Sequence, residues 1–210
     1  MPTALAFKTL VTKRQARVAV VGLGYVGLPL AIEVAEEGFE TIGFDVSEAT
    51  VAHVNAGTSH VKDVASSKLA PLVESGCLHA TSDPSALADC DAILVCVPTP
   101  LNKVKDPDLS FVVAASKAIR DVLRPGHLVV LESTTFPGTT REVVLPLLAE
   151  SGLEVGTDFF LCYSPERVDP GNTTWQTKNT PKVLGGVTDT CTQVGGALYE
   201  AVFDTVVPVS

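Results

Sequence analysis

Three glycines in the run Val18-Ala-Val-Val-Gly22-Leu-Gly24-Tyr-Val-Gly27-Leu fall in the pattern GxGxxG. A β-branched run precedes them and a helical pattern follows. An acidic residue, Asp45, ends the next strand-like segment 18 positions beyond Gly27. In that context each glycine has its own task. Gly22 permits a tight turn, Gly24 lets the backbone approach a pyrophosphate, and Gly27 lets helix and strand pack closely. Tyr25 and Val26 fill the turn and are read with the glycines as cofactor-binding. The pyrophosphate would sit on the helix N-terminus, where N–H groups and the dipole favour an anion. Asp45 would accept hydrogen bonds from the adenosine ribose hydroxyls. A 2′-phosphate there would meet a carboxylate, so NAD is expected over NADP. The bland alternative is a tight turn with no ligand.

The glycine turn needs strands and helices to hold it, and the pattern supplies them. Strand-like runs occur at Arg17–Gly22, Glu40–Asp45, Asp91–Val97, His127–Leu131 and Phe159–Tyr163, with short ones at Lys182–Leu184 and about Thr205–Pro208. Helical patterns lie at Leu28–Glu37, from Ser47 with that serine as cap, at Leu109–Leu123, at Thr140–Ser151 and at about Thr190–Ala201. The strands are nearly continuous apolar runs, as expected when helices cover both sheet faces. The predicted fold is α/β, a doubly wound, mainly parallel Rossmann-type sheet. Residues 1–16 read as an N-terminal extension and 17–210 as a single domain. Pro98–Asp108 reads as a loop at a strand's carboxyl end, where open sheets carry ligands. Ser164–Pro181 is the longest stretch without periodicity.

Composition excludes several classes. The chain has 210 residues, 46% hydrophobic and 19% charged, with a net charge of −9. That is ordinary globular composition, and it speaks against disorder and against a nucleic-acid binder. No apolar run approaches the ~18 residues of a membrane span. No secretion signal is read between Met1 and Arg17. Five scattered cysteines without CxxC pairs read as reduced thiols in a cytoplasmic protein. Binding of an anionic cofactor must therefore rest on local N–H groups, not on the field of the whole chain.

Four further segments stand at or just after strands: Val97-Pro-Thr-Pro100, Glu132-Ser-Thr-Thr-Phe-Pro-Gly138, Tyr163-Ser-Pro-Glu-Arg-Val-Asp-Pro-Gly171 and Pro181-Lys-Val-Leu-Gly-Gly186. The first three should gather on one edge of the sheet. Together with Gly22-Leu-Gly-Tyr-Val-Gly-Leu-Pro29 they resemble the N-terminal domain of the UDP-glucose/GDP-mannose dehydrogenase family, from about Arg17 to Ser210. The set looks most like the nucleotide-N-acetylhexosamine branch of polysaccharide biosynthesis.

The resemblance implies oxidation of a sugar C6 hydroxyl to a carboxylate with two NAD molecules, by way of a thiohemiacetal and a thioester on a cysteine. The expected substrate is UDP-N-acetylglucosamine. UDP-N-acetylmannosamine, UDP-glucose and a catalytically silent NAD-binding fragment are the alternatives. It implies that Thr99 lies beside the dinucleotide and Thr134 near the nicotinamide ribose and a catalytic water. It implies that Glu166 stands at the reacting centre, with Arg167 and Val168 in a loop wrapping the hexose. The chemistry agrees: alcohol oxidation needs a proton acceptor, and a carboxylate serves. A threonine hydroxyl, both donor and acceptor, suits ordering a water. The family's catalytic cysteine, its connecting helix and its C-terminal domain have no counterpart in these residues. The chain is thus expected to be the cofactor half of a longer enzyme, a homodimer in relatives.

Other residues keep plain readings. Cys96 and Cys162 read as buried small apolar groups. His53, His60, His79 and His127 show no metal-ligand spacing, and none is expected to bind metal. Glu132 reads equally as catalytic or as a strand-end carboxylate satisfying N–H groups. Lys182 reads equally as facing a substrate phosphate or as an edge-strand charge. Thr135 and Thr139 read as bonding the turn before a helix. The equivalence of Asp169 to a second family glutamate is open, as is a stacking role for Trp175.

Overall fold

The computed structural model describes residues 2–101, 107–167 and 177–209. The elements run α1 (Pro2–Thr12), β1 (Arg17–Val21), α2 (Gly27–Glu36), β2 (Glu40–Phe44), α3 (Glu48–Asn55), α4 (Ser66–Glu74) and β3 (Leu78–Thr81). A 3-10 turn (Pro84–Asp89) leads to β4 (Ala92–Val95), α5 (Ser110–Val122) and β5 (Leu128–Leu131). A π-type turn (Thr140–Val144) then enters α6 (Leu145–Ala149), followed by β6 (Phe160–Tyr163), β7 (Lys182–Gly186), α7 (Asp189–Tyr199) and β8 (Val206–Val209).

Among the described residues eight strands form one sheet in the order β3-β2-β1-β4-β5-β6-β7-β8. The first six are parallel. Their order reverses between β1 and β4, the switch point at which doubly wound sheets open a crevice. The last two strands run the other way: β7 pairs antiparallel with β6 and parallel with β8. Tyr163 pairs with Gly185. Lys182, three residues earlier on β7, therefore reaches past the end of β6 to the carboxyl edge of the sheet.

The alternation of strand side chains sorts the interior into two cores. Val18, Val20, Leu94, Val130 and Cys162 face one core, covered by α1, α2 and α7. Ala19, Val21, Val95, Leu131 and Leu161 face the other, covered by α5 and α6. Both faces are dry, which is why the strands carry no polar alternation. Helix α5 meets its core with Val112, Ala115 and Ile119, at helical spacing. Helix α7 does the same with Cys191, Val194 and Leu198.

Three elements escape the sequence reading. Helix α1 puts Phe7 and Val11, one turn apart, into the first core. Helix α4 carries Pro71 inside it, which argues against a helix from sequence. Strand β3 is a four-residue edge strand whose His79 is exposed, so it lacks the apolar run of a central strand. The helix expected over Thr140–Ser151 is also corrected. Pro146 has no N–H to give to Glu142, and the turn before it widens to π-type winding. Elsewhere the punctuation acts as read: Ser47 caps α3 by accepting from the N–H of Thr50 at 3.2 Å, and Gly38 closes α2 with φ of 85°.

His127, just before β5, is fully buried. Its Nδ1 accepts the N–H of Arg124 at 3.3 Å, while Nε2 has no partner among the described residues. Burial, and after it the Arg124 charge, pushes the imidazole down to about 4. The ring is neutral in the native state, whereas an unfolded chain takes up a proton below about pH 6.5. Stability is thus full above pH 6.5 and falls as pH drops towards 4, by up to roughly 3 kcal/mol from this group. Urea midpoints should fall more steeply over that interval in the wild type than in His127→Asn, whose side-chain oxygen can replace Nδ1 as acceptor. Parallel slopes would exclude this account.

Candidate active site

The glycine turn joins β1 to α2 under tight steric limits. Gly22 takes φ of 90°, and its N–H donates to the Phe44 carbonyl at 2.8 Å. A Cβ on Gly27 would lie 1.7 Å from the Gly22 oxygen, so only glycine fits there. A Cβ on Gly24 would meet no atom within 4 Å. That open surface, beside Tyr25 and Val26 N–H groups with no protein partner among the described residues, fits a pyrophosphate.

Asp45 holds the turn from β2. Its Oδ2 accepts the N–H of Leu23 at 2.8 Å and its Oδ1 that of Ser47 at 2.9 Å. A carboxylate has about four acceptor positions, so two remain for ribose hydroxyls. On the other side of Leu23, its carbonyl lies 2.8 Å from Nε2 of His60. That nitrogen must carry the proton for the pair to bond. His60 thereby braces the glycine turn.

A cleft of about 570 Å³ opens between the ends of β1, β2, β4 and β5. Its walls include Gly22, Gly24, Tyr25, Val26, Asp45, Thr99, Thr134 and Glu166. Phe44, Val46, Phe111 and Ala115 give it an apolar side, suited to a flat base. The loops after β4 and β5 are tied together: Thr99 Oγ1 donates to the Thr134 carbonyl at 2.7 Å, and Ser133 Oγ to the Val97 carbonyl at 2.8 Å. Gly27 stands behind the turn rather than in the wall. Arg167 is exposed and does not line the cleft; its N–H donates to Glu166 Oε1 at 2.7 Å. Val168, Asp169 and Trp175 lie outside the described residues. Thr139 bonds the turn as expected, donating to the Phe136 carbonyl at 2.8 Å.

The floor of the cleft holds a cluster that the sequence reading did not assemble. Lys182 is 1% exposed, and its Nζ lies 2.9 Å from Glu132 Oε2 and 3.0 Å from Glu166 Oε2. The hydroxyl of Tyr199, on α7, bonds Glu132 Oε1. Burial pushes the Glu132 carboxyl up, against the pull of Lys182 and Tyr199. Burial alone would lower Lys182, but the two carboxylates outweigh it and raise the ammonium. Lys182 is therefore not an edge-strand charge, since β8 covers β7 and the side chain points inward. Glu132 satisfies an ammonium and a phenol rather than N–H groups. The signal available was the Pro181-Lys-Val-Leu motif; what hid its partners was the antiparallel turn of β7.

All five cysteines are free, and four of them are buried. Cys96 lines the cleft, but burial, and after it the charges of Glu132 and Glu166, holds its thiol protonated. Cys162 is raised by burial in the same way and donates to the Cys191 carbonyl at 3.1 Å. Neither is an activated nucleophile. Among the described residues no group of His, Cys, Asp or Glu could hold a metal ion, and no helix is long and apolar enough to cross a membrane.

The strand order and the glycine turn define a dinucleotide-binding domain, with an acid–lysine cluster at the far end of its cleft. The chain belongs to the UDP-glucose/GDP-mannose dehydrogenase family: residues 16–203 match its NAD binding domain. NAD is thus its cofactor. It is 39% identical over 187 residues to UDP-N-acetyl-D-glucosamine 6-dehydrogenase of Pseudomonas aeruginosa, covering 89% of this chain and 43% of that protein. The solved UDP-D-ManNAc dehydrogenase of Pyrococcus horikoshii superposes with a TM-score of 0.87 at 32% identity, over 92% of this chain and 47% of that one. A ternary complex of GDP-mannose dehydrogenase from Pseudomonas aeruginosa gives 0.86 at 29% identity, over 92% and 46%. The chain spans less than half the length of these relatives.

The two glycines separate folding from binding. Gly27→Ala should fail to fold or melt far lower, because the clash is with backbone. Gly24→Ala should keep the wild-type melting curve to within about 0.5 kcal/mol, as ordinary surface changes do. It should nevertheless lose NAD affinity in a calorimetric titration, because a methyl group would occupy the open surface that fits a pyrophosphate.

Proposed function

We propose that this chain is the cofactor-binding part of a cytoplasmic enzyme that oxidises the C6 hydroxyl of a UDP-N-acetylhexosamine, UDP-N-acetylglucosamine first, to the uronic acid. One observation carries the reading: Glu166 shares a cleft with the glycine turn and Asp45. Overall, one alcohol and one water yield a carboxylate while two NAD accept two hydrides and protons are released. When bound, NAD supplies the hydride acceptor, held by the turn N–H groups, Asp45 and Thr99. Glu166 takes the proton of the hydroxyl, or orients the water of the later hydrolysis. Thr134, on the loop tied to Thr99, orders that water through its hydroxyl. Arg167 and Val168, next in the chain, are assigned to hexose binding in this reading by their likeness to the loop that wraps the hexose in relatives. The whole enzyme works as a homodimer.

A thiolate must hold the aldehyde between the two hydride transfers, and among the described residues the cleft offers only the protonated Cys96. The 210-residue chain alone should therefore bind NAD without forming NADH from UDP-N-acetylglucosamine. In the full-length enzyme Glu166→Gln should keep NAD affinity and lower kcat by about 10²-fold or more, the scale of a lost acid–base group. Turnover by the 210-residue chain, or an unchanged kcat in Glu166→Gln, would overturn the reading. Asp45→Asn should weaken NAD binding and narrow the preference over NADP, because it removes a charge that repels the 2′-phosphate. Calorimetry with both dinucleotides checks this. Equal affinities in the wild type would refute the role of Asp45.

A further inference from the structure

We infer that Lys182 is a positioning residue for Glu166, holding its carboxylate at the dinucleotide cleft while Glu132, itself bonded by the Tyr199 hydroxyl, holds the ammonium from beneath. The inference rests on the reading of Glu166 as the carboxylate at the reacting carbon.

Three side chains contact this ammonium, and a fourth, Tyr199, is tied to it through Glu132. Glu132 comes from the end of β5, Glu166 from the segment after β6, Tyr199 from α7, and Phe203 from just beyond α7. The contacts are 2.9 Å to Glu132, 3.0 Å to Glu166 and 5.2 Å to the centre of the Phe203 ring. The Cys96 thiol of the β4 loop is the further titratable group on the cleft side. The ammonium is thus held by two carboxylate acceptors and one π face. Glu166 is fixed in turn at both oxygens, Oε2 by Lys182 and Oε1 by the N–H of Arg167. A carboxylate held that way keeps one orientation towards whatever occupies the cleft.

A buried ion pair is weak evidence for stability, since well-packed apolar groups often serve as well. This one has a feature that a structural staple does not need. Both carboxylates line the cleft, and the ammonium lies between them. Two carboxylates and one ammonium carry one net negative charge. Without Lys182, Glu132 and Glu166 share the site with no cation between them, and one of them takes up a proton as the pH falls. The acid limb of the activity profile then moves to higher pH.

The test uses the full-length enzyme with NAD and UDP-N-acetylglucosamine. The variants are Lys182→Met, Glu132→Gln/Lys182→Met, Lys182→Arg and Glu166→Gln. The double variant removes the fully buried Glu132 charge together with the ammonium, leaving only the Glu166 carboxylate with the N–H of Arg167, and so limits misfolding. In both methionine variants kcat is expected to fall about 10²-fold, the scale of a misplaced catalytic group, with NAD affinity kept. The acid limb should rise in Lys182→Met, where two carboxylates face each other, and by less in the double variant, where Glu166 loses the cation but also the Glu132 charge. Lys182→Arg keeps the charge and should leave the acid limb in place. A folded double variant with wild-type kcat and pH profile would overturn the inference. So would equal losses of kcat and NAD affinity with an unmoved acid limb, the mark of a merely structural residue. An acid limb displaced as far in Lys182→Arg as in Lys182→Met would do the same. Glu166→Gln separates the two failures: if it turns over normally, the role of Glu166 falls first, whatever the lysine variants do.

Discussion

The carbonyl of Gly22 lies against the α-carbon of Gly27, and most of the site follows from that contact. It sets how closely α2 approaches β1, and hence where the free N–H groups of the turn point. It also brings Cys96 of the β4 loop within 2.9 Å of where a Gly22 side chain would begin, so that the loop closes over the turn. Asp45 and His60 then grip Leu23 by its N–H and its carbonyl. The turn is thereby held by backbone sterics from within and by two side chains from without. Preorganisation of this kind lowers the ordering cost of binding a flexible dinucleotide.

The far end of the cleft is built on a different principle. There the positions come from charge, with one ammonium serving two carboxylates in a dry pocket. Each partner is tolerable only because the others are present: an isolated buried carboxylate or ammonium would give up its charge. The two ends of the cleft thus suit the two halves of a redox cofactor. Neutral N–H donors stand at the glycine turn, and ionised groups stand at the opposite end.

The parallel part of the sheet was legible because the apolar runs at Val18, Ile93, Val129 and Leu161 need cover on both faces. The GxGxxG turn was legible because its demands are local. Three glycines at fixed offsets determine it, and Asp45 follows one strand later. The lysine cluster was not legible in that way. Lys182 meets Glu166 across 16 residues and Glu132 across 50, and nothing local says that β7 turns back. Once the reversal is known, Lys182 has one place to go, since side chains on β7 alternate and Leu184 faces the same core. The short edge strand β3 and the proline-bearing α4 were hidden for the opposite reason. Their local signals point the wrong way, and tertiary packing overrules them.

The hydrogen bond from Tyr199 to Glu132 ties the cleft to the reversed unit of β7, α7 and β8. Proteins open in cooperative pieces, and an edge unit with an exposed last strand is among the first to detach. When this one does, Lys182 and Tyr199 leave together, and Glu132 and Glu166 are exposed to water at the same moment. The glycine turn, anchored on β1 and β2, lies outside that unit. The domain can therefore hold its nucleotide grip while the acid end has already melted. The protection of backbone amides in β7 against exchange is a measure of how long the acid end stays assembled.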